Sequence, residues 1–463
     1  MIAFVVSNFA GLVRQVLVAN AFGTQADMEA FNAANRVSET LFALVAGGAL
    51  SSAFIPTFTG LLAKDKQGQA WKLASAVANL VLIVLTLGAA LAAIFAPQIT
   101  RYILAPGFAG DLAKEQLTIN LLRMMLPSAV IFGLSGLAMG VLNSHQRFLV
   151  PALTPALYQL GLIFGVIFLA PSLGIYGLAW GVLLGSALHL LLQLPSLWRL
   201  DGRYEWTLGA GAPEVFQVMR LMGPRLLGVA VVQLNFWINT RLASQMIEGS
   251  VTGVVLAFSL MLMPQAAIAQ SIAIAAMPMF SAQVALGKLD EMRSAMVASL
   301  RAAIMLSLPA AVGLILLREP IIVSLYQRGA FDAFSTQLVS WALLWFSTGL
   351  VGHAVVEILS RAFYSLSDTR TPVFIGALAM SLNIIFSYLF SSLFLRWGWL
   401  AHGGLALANS CATGLEAIVL WWVMRRRMQG LPARGVMVGA AQAAFCALVM
   451  GVFLWFWLQL SAQ

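Results

Sequence analysis

The chain has 463 residues, 61% of them hydrophobic and only 9% charged, and a mean hydropathy of +0.90. A soluble domain carries roughly 25% charged residues, so these side chains cannot cover a water-facing surface. The formal charge of +9 invites a nucleic-acid partner, but the basic residues are scattered among connections between apolar runs, which argues against nucleic acid.

Residues 72–97, 150–170, 174–197 and 372–395 are apolar runs, each longer than the roughly 18 residues that mark a spanning helix. They do not alternate apolar with polar, as barrel strands do. In hydrocarbon the backbone must satisfy its own hydrogen bonds, so the runs are helices. The expected fold is an all-α polytopic membrane protein with about 13 spans: near 2–22, 30–62, 72–97, 117–143, 150–170, 174–197, 215–246, 251–283, 294–317, 336–365, 372–395, 399–424 and 435–460. The N-terminus is apolar from Ile2 onward, with no basic stretch and no small-residue cleavage site, and reads as a first span rather than a signal peptide. Cys411 and Cys446 both lie in apolar runs and read as packing residues.

Alternate connections differ in charge. One side holds 14 Lys and Arg, among them Lys64, Lys66, Arg147, Arg370 and Arg425–Arg427; the other holds 5, namely Arg101, Lys114, Arg318, Arg328 and Arg396. Positive charge marks the cytoplasmic side, which puts the N-terminus inside and the C-terminus outside.

The two halves repeat the same punctuation. Pro56 and Phe58 of AFIPTF match Pro278 and Phe280 of AAMPMF, Pro97 matches Pro320, Gly107 matches Gly329, and Pro151 matches Pro372, at offsets of 222, 223, 222 and 221 residues. The offset covers six helices, so both copies run the same way and form a parallel repeat. The expected division is an N-lobe at 1–200, a C-lobe at 213–428 and an extra helix at 435–460. Two such lobes are suited to alternating access around a central site.

Ionisable residues within spans are costly and mark cavities or pairs. Arg14 sits mid-way in span 1. In span 2, Glu29, Asn32, Arg36 and Glu39 share one helix face. Two readings stand: a self-satisfied ladder, or a stripe facing a substrate cavity. In span 7, Asn239 and Arg241 join the candidate substrate-binding set, although polar residues also join membrane helices and Arg241 is placed to snorkel. His353, Glu357 and Arg361 share a face of span 10, as an ion relay or a structural ladder, and Glu416 in span 12 calls for a partner not evident in the sequence. No phosphate-binding loop, zinc-ligand spacing or nucleophile elbow is present. The reading is of a transporter, not an enzyme, with no cofactor and no metal site.

Several segments carry a resemblance: GLVRQVLVANAFGTQADMEAF (11–31), GALSSAFIPTF (48–58), APGFA (105–109), GVLNSHQRFLVPALTPAL (140–157), MGPRLLGVAVVQLNFWINT (222–240), RGAFD (328–332) and FYSLSDTRTPV (363–373). On these the chain resembles the MurJ (MviN) lipid II flippases of the MOP exporter superfamily, which act in peptidoglycan synthesis. The resemblance implies two six-helix lobes around a central cavity, residence in the bacterial cytoplasmic membrane, and translocation of a polyprenyl-diphosphate-linked saccharide. Arg14 and Glu29 match charged positions of the family. Asn8, Phe42 and Ser259 stand where the family commonly has arginines thought to engage the substrate pyrophosphate, while Arg36, Arg225 and Arg241 are arginines outside that pattern. The family's usual fourteenth helix and longer lead-in before the first motif have no counterpart in this sequence.

A diphosphate needs several cations, and arginine suits it through its bidentate fork. The stripe sets Arg14 and Arg36 against Glu29 and Glu39, which makes it neutral. The leading expectation is a flippase for a lipid II-like substrate, acting as a monomer with the bilayer and, where transport is coupled, a cation as partners. A cation-coupled exporter of small molecules of the MATE type and a non-transporting envelope scaffold are the alternatives.

Overall fold

The computed structural model describes residues 2–45, 49–200, 202–209, 211–430 and 433–461. All regular structure among them is helical. The main helices are α1 (Ile2–Phe22), α2 (Ala26–Val45), α3 (Ala49–Ala63), α4 (Gln67–Ile94), α5 (Leu112–Ser144), α6 (Leu149–Phe164), α7 (Ile175–Leu191) and α8 (Pro213–Ser244). They are followed by α9 (Ser250–Gln265), α10 (Ser271–Ala285), α11 (Leu289–Tyr326), α12 (Ala333–Thr348), α13 (Leu350–Ser365), α14 (Arg370–Arg396), α15 (His402–Arg427) and α16 (Ala433–Ser461).

Among the described residues nine helices are long and apolar enough to cross a membrane, or eleven when the bent pairs within α8 and at α12–α13 count as single spans. The two remaining expected passes correspond to α1 and to α2 with α3, whose junction lies outside the described residues, as do Gly47 and Gly48.

The chain forms two compact units. Unit 1 comprises Met1–Glu248 and the tetrapeptide Arg328–Phe331; unit 2 comprises Gly249–Gln327 and Asp332–Gln463. Helix α8, grouped by the sequence with the second lobe, therefore packs in unit 1. Its Val218 and Met222 join the core built by Phe54, Phe58, Leu73, Val77 and Val141, and its Trp237 indole donates to Thr40 Oγ1 of α2 at 2.7 Å. The core of unit 2 gathers Phe280, Met292, Met296, Ile358, Phe363 and Met424.

The repeated motifs do the same local work in each half. Phe58 and Phe280 are both fully buried, and Pro56 and Pro278 both lie inside their helices. Pro151 and Pro372 each fall in the first turn of a helix, where a missing N–H costs nothing. Asp65 and Gly287 both take a left-handed conformation after a helix end, as do Gln146 and Ser367. In each case the next amide closes back onto the helix, as Lys66 N does to Leu61 O and Lys288 N to Gln283 O. Asp111 and Asp332 are both N-caps, of α5 and α12. The hydrogen bond from Ser335 N holds the Asp332 carboxyl below the usual carboxylate range.

The matched glycines have a steric cause. A Cβ on Gly107 would stand 1.8 Å from the Ser244 carbonyl oxygen at the end of α8, and one on Gly329 would stand 2.4 Å from the Asn20 oxygen near the end of α1. Ala330 N donates to that same Asn20 oxygen at 2.9 Å. The two loops thus approach helix ends backbone to backbone, which only glycine permits.

Candidate functional site

Unit 1 contains a cavity of about 420 Å³ lined by α2, α5, α6 and α7. Asn35, Ser38, Glu39 and Phe42 face it from α2, Tyr158 and Gln159 from α6, and His189 from α7. The wall is rigid. His189 Nδ1 lies 2.6 Å from Ser135 Oγ, which also accepts from the Gln193 amide at 2.6 Å, and the imidazole meets the Phe132 ring edge-on. The Gln159 carbonyl oxygen is buried and has no partner among the described residues.

The charged stripe of α2 splits. Its inner part stays together: Arg36 Nη1 reaches Glu39 Oε2 at 2.8 Å, and the Asn35 amide holds the other carboxylate oxygen at 2.8 Å. The Arg36 guanidinium lies over the Phe236 ring at 5.0 Å, a cation–π contact, and its Nε is buried without a partner among the described residues. Glu29 turns away. It is 2% exposed and meets Lys114 Nζ of α5 at 2.5 Å, with that ammonium over the Phe108 ring at 4.3 Å. The pair neutralises both charges away from the cavity.

Arg14 is half-buried on α1 and has no ion pair among the described residues. It and Glu39 are both within electrostatic reach of Tyr158. One turn earlier, Gly11 lies against the Gln159 amide, which puts this face of α1 beside the cavity wall. Once Glu29 is paired, the stripe near the cavity is Arg14 and Arg36 against Glu39. Its net charge is therefore positive rather than neutral.

The other sequence candidates are placed elsewhere. Asn32 is half-buried on α2 and has a partner. Asn239 donates to Asn235 Oδ1 at 3.2 Å within α8. Arg241 donates to the Tyr102 and Ile103 carbonyls, at the end of the π-helical turn Ile99–Leu104. Those carbonyls lack intrahelical partners, and the guanidinium satisfies them. The side chain of Arg225 lies outside the described residues. Asn35, Tyr158, Gln159, His189 and Lys114 were not singled out by sequence. Tyr158 and Gln159 directly follow the 140–157 motif, and Asn35 stands one helical turn before Glu39, which are the signals available for them.

In unit 2, Arg361 and Glu357 pair at 2.8 Å, and His353 Nε2 lies 3.1 Å from Asn409 Oδ1. The partner expected for Glu416 is not found among the described residues; its Oε1 lies 3.2 Å from the place of a Cβ on Gly376. Asp368, in the 363–373 motif, binds Arg427, Thr371 Oγ1 at 2.7 Å and the Arg370 and Thr371 amides, which pins this loop to the end of α15. Burial pushes its carboxyl up, but these bonds outweigh burial and hold it below the usual range. No group of three or more His, Cys, Asp or Glu gathers to hold a metal among the described residues.

An all-helical fold with this many apolar spans, and a cavity between them lined by polar side chains, is that of a polytopic membrane protein. Its fold matches that of a lipid II flippase MurJ in an inward closed conformation, with a TM-score of 0.84 at 24% identity over 98% of this chain and 96% of that one. It also matches the fold of an inward-facing multidrug resistance MATE family transporter of the MOP superfamily, with a TM-score of 0.75 at 18% identity over 91% of this chain and 94% of that one. Residues 18–463 match the family described as Lipid II flippase MurJ, and the chain belongs to that family. The Lipid II flippase MurJ of Burkholderia cenocepacia is 30% identical over 97% of this chain and 87% of its own length. The probable lipid II flippase of Vibrio cholerae is 29% identical over 97% and 86%. The protein is accordingly a multi-pass transporter of the bacterial inner membrane and not an enzyme.

Proposed function

We propose that the chain translocates a polyprenyl-diphosphate-linked saccharide of the lipid II type by alternating access, with Arg14 and Arg36 holding the diphosphate. The observation that carries the assignment is the Glu29–Lys114 pair, because it leaves a net positive stripe beside the unit 1 cavity. The buried Nε of Arg36 is a donor left unfilled among the described residues. Glu39 and Asn35 set the Arg36 rotamer and moderate the positive charge, so that the substrate is released as well as bound. Arg241 acts as a strut that holds α8 against the π-helical turn. The polyprenyl tail remains in the bilayer. A reconstituted flipping assay with Arg14→Ala and Arg36→Ala tests this reading.

Action as a monomer and coupling to a cation are parts of the same proposal. Glu416, a span carboxylate with no partner among the described residues, is the group assigned to exchange the proton or cation. Glu416→Gln should leave substrate binding intact and remove the dependence of transport on an ion gradient. Unchanged gradient dependence would discard the assignment.

A further inference from the structure

A second cavity, of about 630 Å³, lies wholly within unit 2. It is formed by residues of α11, α12 and the α14–α15 turn, in connections that belong to the sparsely basic, outward side of the chain. Its size is within the roughly 300–1,000 Å³ of small-molecule sites.

The turn that shapes it follows from sequence. Helix α14 ends at Arg396, and Gly398 adopts a left-handed conformation, φ +74°. Its amide closes to Leu395 O and that of Trp399 to Phe394 O, a helix stop that fixes the position of Trp399. Trp399 meets Trp341 edge-on, with centroids 5.6 Å apart, and the Trp341 indole donates to Leu400 O at 2.9 Å. Both tryptophans line the cavity, and Trp399 remains 43% exposed. Trp345 stands against both, and its indole N–H is buried with no partner among the described residues.

The polar lining is mixed. Arg318 spends one donor on Ile315 O, at 2.5 Å, and its fork keeps others. Glu319 and the Gln337 amide have no side-chain partner among the described residues. Ser340 adds a hydroxyl. The arginine and the glutamate cancel in charge, which does not suit a phosphate. An interfacial tryptophan belt accounts for exposed indoles, but not for a cavity that sets a carboxylate, a guanidinium and an amide beside them. A sugar ring has an apolar C–H face, suited to an indole wall, and a rim of hydroxyls that both donate and accept.

We propose that this outward pocket of unit 2 binds a saccharide, with Trp399 and Trp341 as its stacking wall and Arg318, Glu319 and Gln337 reading the hydroxyl rim. Identifying that saccharide with the headgroup of the transported lipid rests on the flippase reading; the binding itself does not.

The test is calorimetric titration of the full chain in nanodiscs with a soluble β-1,4-linked N-acetylglucosamine disaccharide. Saturable binding is expected. Trp399→Ala and Gln337→Ala should each weaken it by about tenfold or more, and Trp399→Phe should recover most of the loss. Glu319→Gln, at an exposed position, provides a variant whose folding is not at stake, and it too should weaken binding. Absence of saturable binding, or unchanged affinity in both Gln337→Ala and Glu319→Gln, overturns the proposal. So does competition by phosphatidylethanolamine in the nanodisc, which would make the pocket a lipid-headgroup site. Transport is not part of this readout. A chain that binds the disaccharide but flips nothing refutes the flippase reading alone, and one that flips without binding refutes the pocket alone.

Discussion

Glu29 of α2 and Lys114 of α5 form an ion pair at 2.5 Å, with side chains 2% and 9% exposed. The pair is 85 residues apart in sequence. Removing one partner leaves a buried charge unpaired, which costs about 3–5 kcal/mol, whereas replacing both by apolar residues of similar volume is close to neutral. Lys114→Met alone should lower the unfolding temperature in detergent sharply, and Glu29→Leu combined with Lys114→Met should restore most of it. A double variant as unstable as the sum of the singles would show that the two side chains act independently.

Asp332 gives a pH dependence with a definite sign. Its carboxylate caps α12 by accepting from Ser335 N at 2.7 Å, and this holds its pKa below the reference value of 3.8. The folded value is depressed, so the stabilisation is fully present above the unfolded value and is lost as pH falls through the folded one. Asp332→Ala should cost about 0.5–2 kcal/mol at neutral pH. The gap between wild type and variant should close in acid below pH 3.8. A gap that widens on acidification would contradict the cap.

The basic asymmetry of the connections predicts which ends face the cytoplasm. In a chain lacking Cys411 and Cys446, Gln67→Cys and Gln429→Cys should resist a membrane-impermeant thiol reagent in intact cells, and Ala113→Cys should react. Gly329 is a poor probe position, because any Cβ there meets Asn20. The reverse labelling pattern would invert the topology, and with it the outward placement of the tryptophan pocket.

The helices were legible because the membrane enforces long apolar runs, and the repeat because glycines and prolines recur where the backbone needs them. Phe58 and Phe280, or Gly107 and Gly329, are matched in sequence and perform matched tasks. Side-chain pairing across helices was not legible. Helical spacing grouped Glu29 with Arg36 and Glu39, but α5 brings Lys114 to Glu29 from outside that register. Arg241 stood in the sequence as a candidate substrate contact or a snorkelling side chain; the carbonyls of the π-helical turn that it satisfies lie about 139 residues away, and no periodicity reports them. The cavity lining at Tyr158, Gln159 and His189 likewise arises from α6 and α7 meeting α2, a relationship set by packing rather than by any one segment.

The central claim is that Arg14 and Arg36 hold the diphosphate of a lipid-linked saccharide. A charge-assisted hydrogen bond lost from each contributes about 1.5–3 kcal/mol, or at least about a tenfold loss of rate. Lysine keeps the charge but not the fork, so it should give an intermediate rate. The most direct measurement is flipping of purified lipid II by the full chain in proteoliposomes, with each variant matched for folded protein. The account predicts a wild type that flips, Arg14→Ala and Arg36→Ala that are each slowed about tenfold or more, and lysine variants in between. Alanine variants that flip lipid II at the wild-type rate would contradict the account.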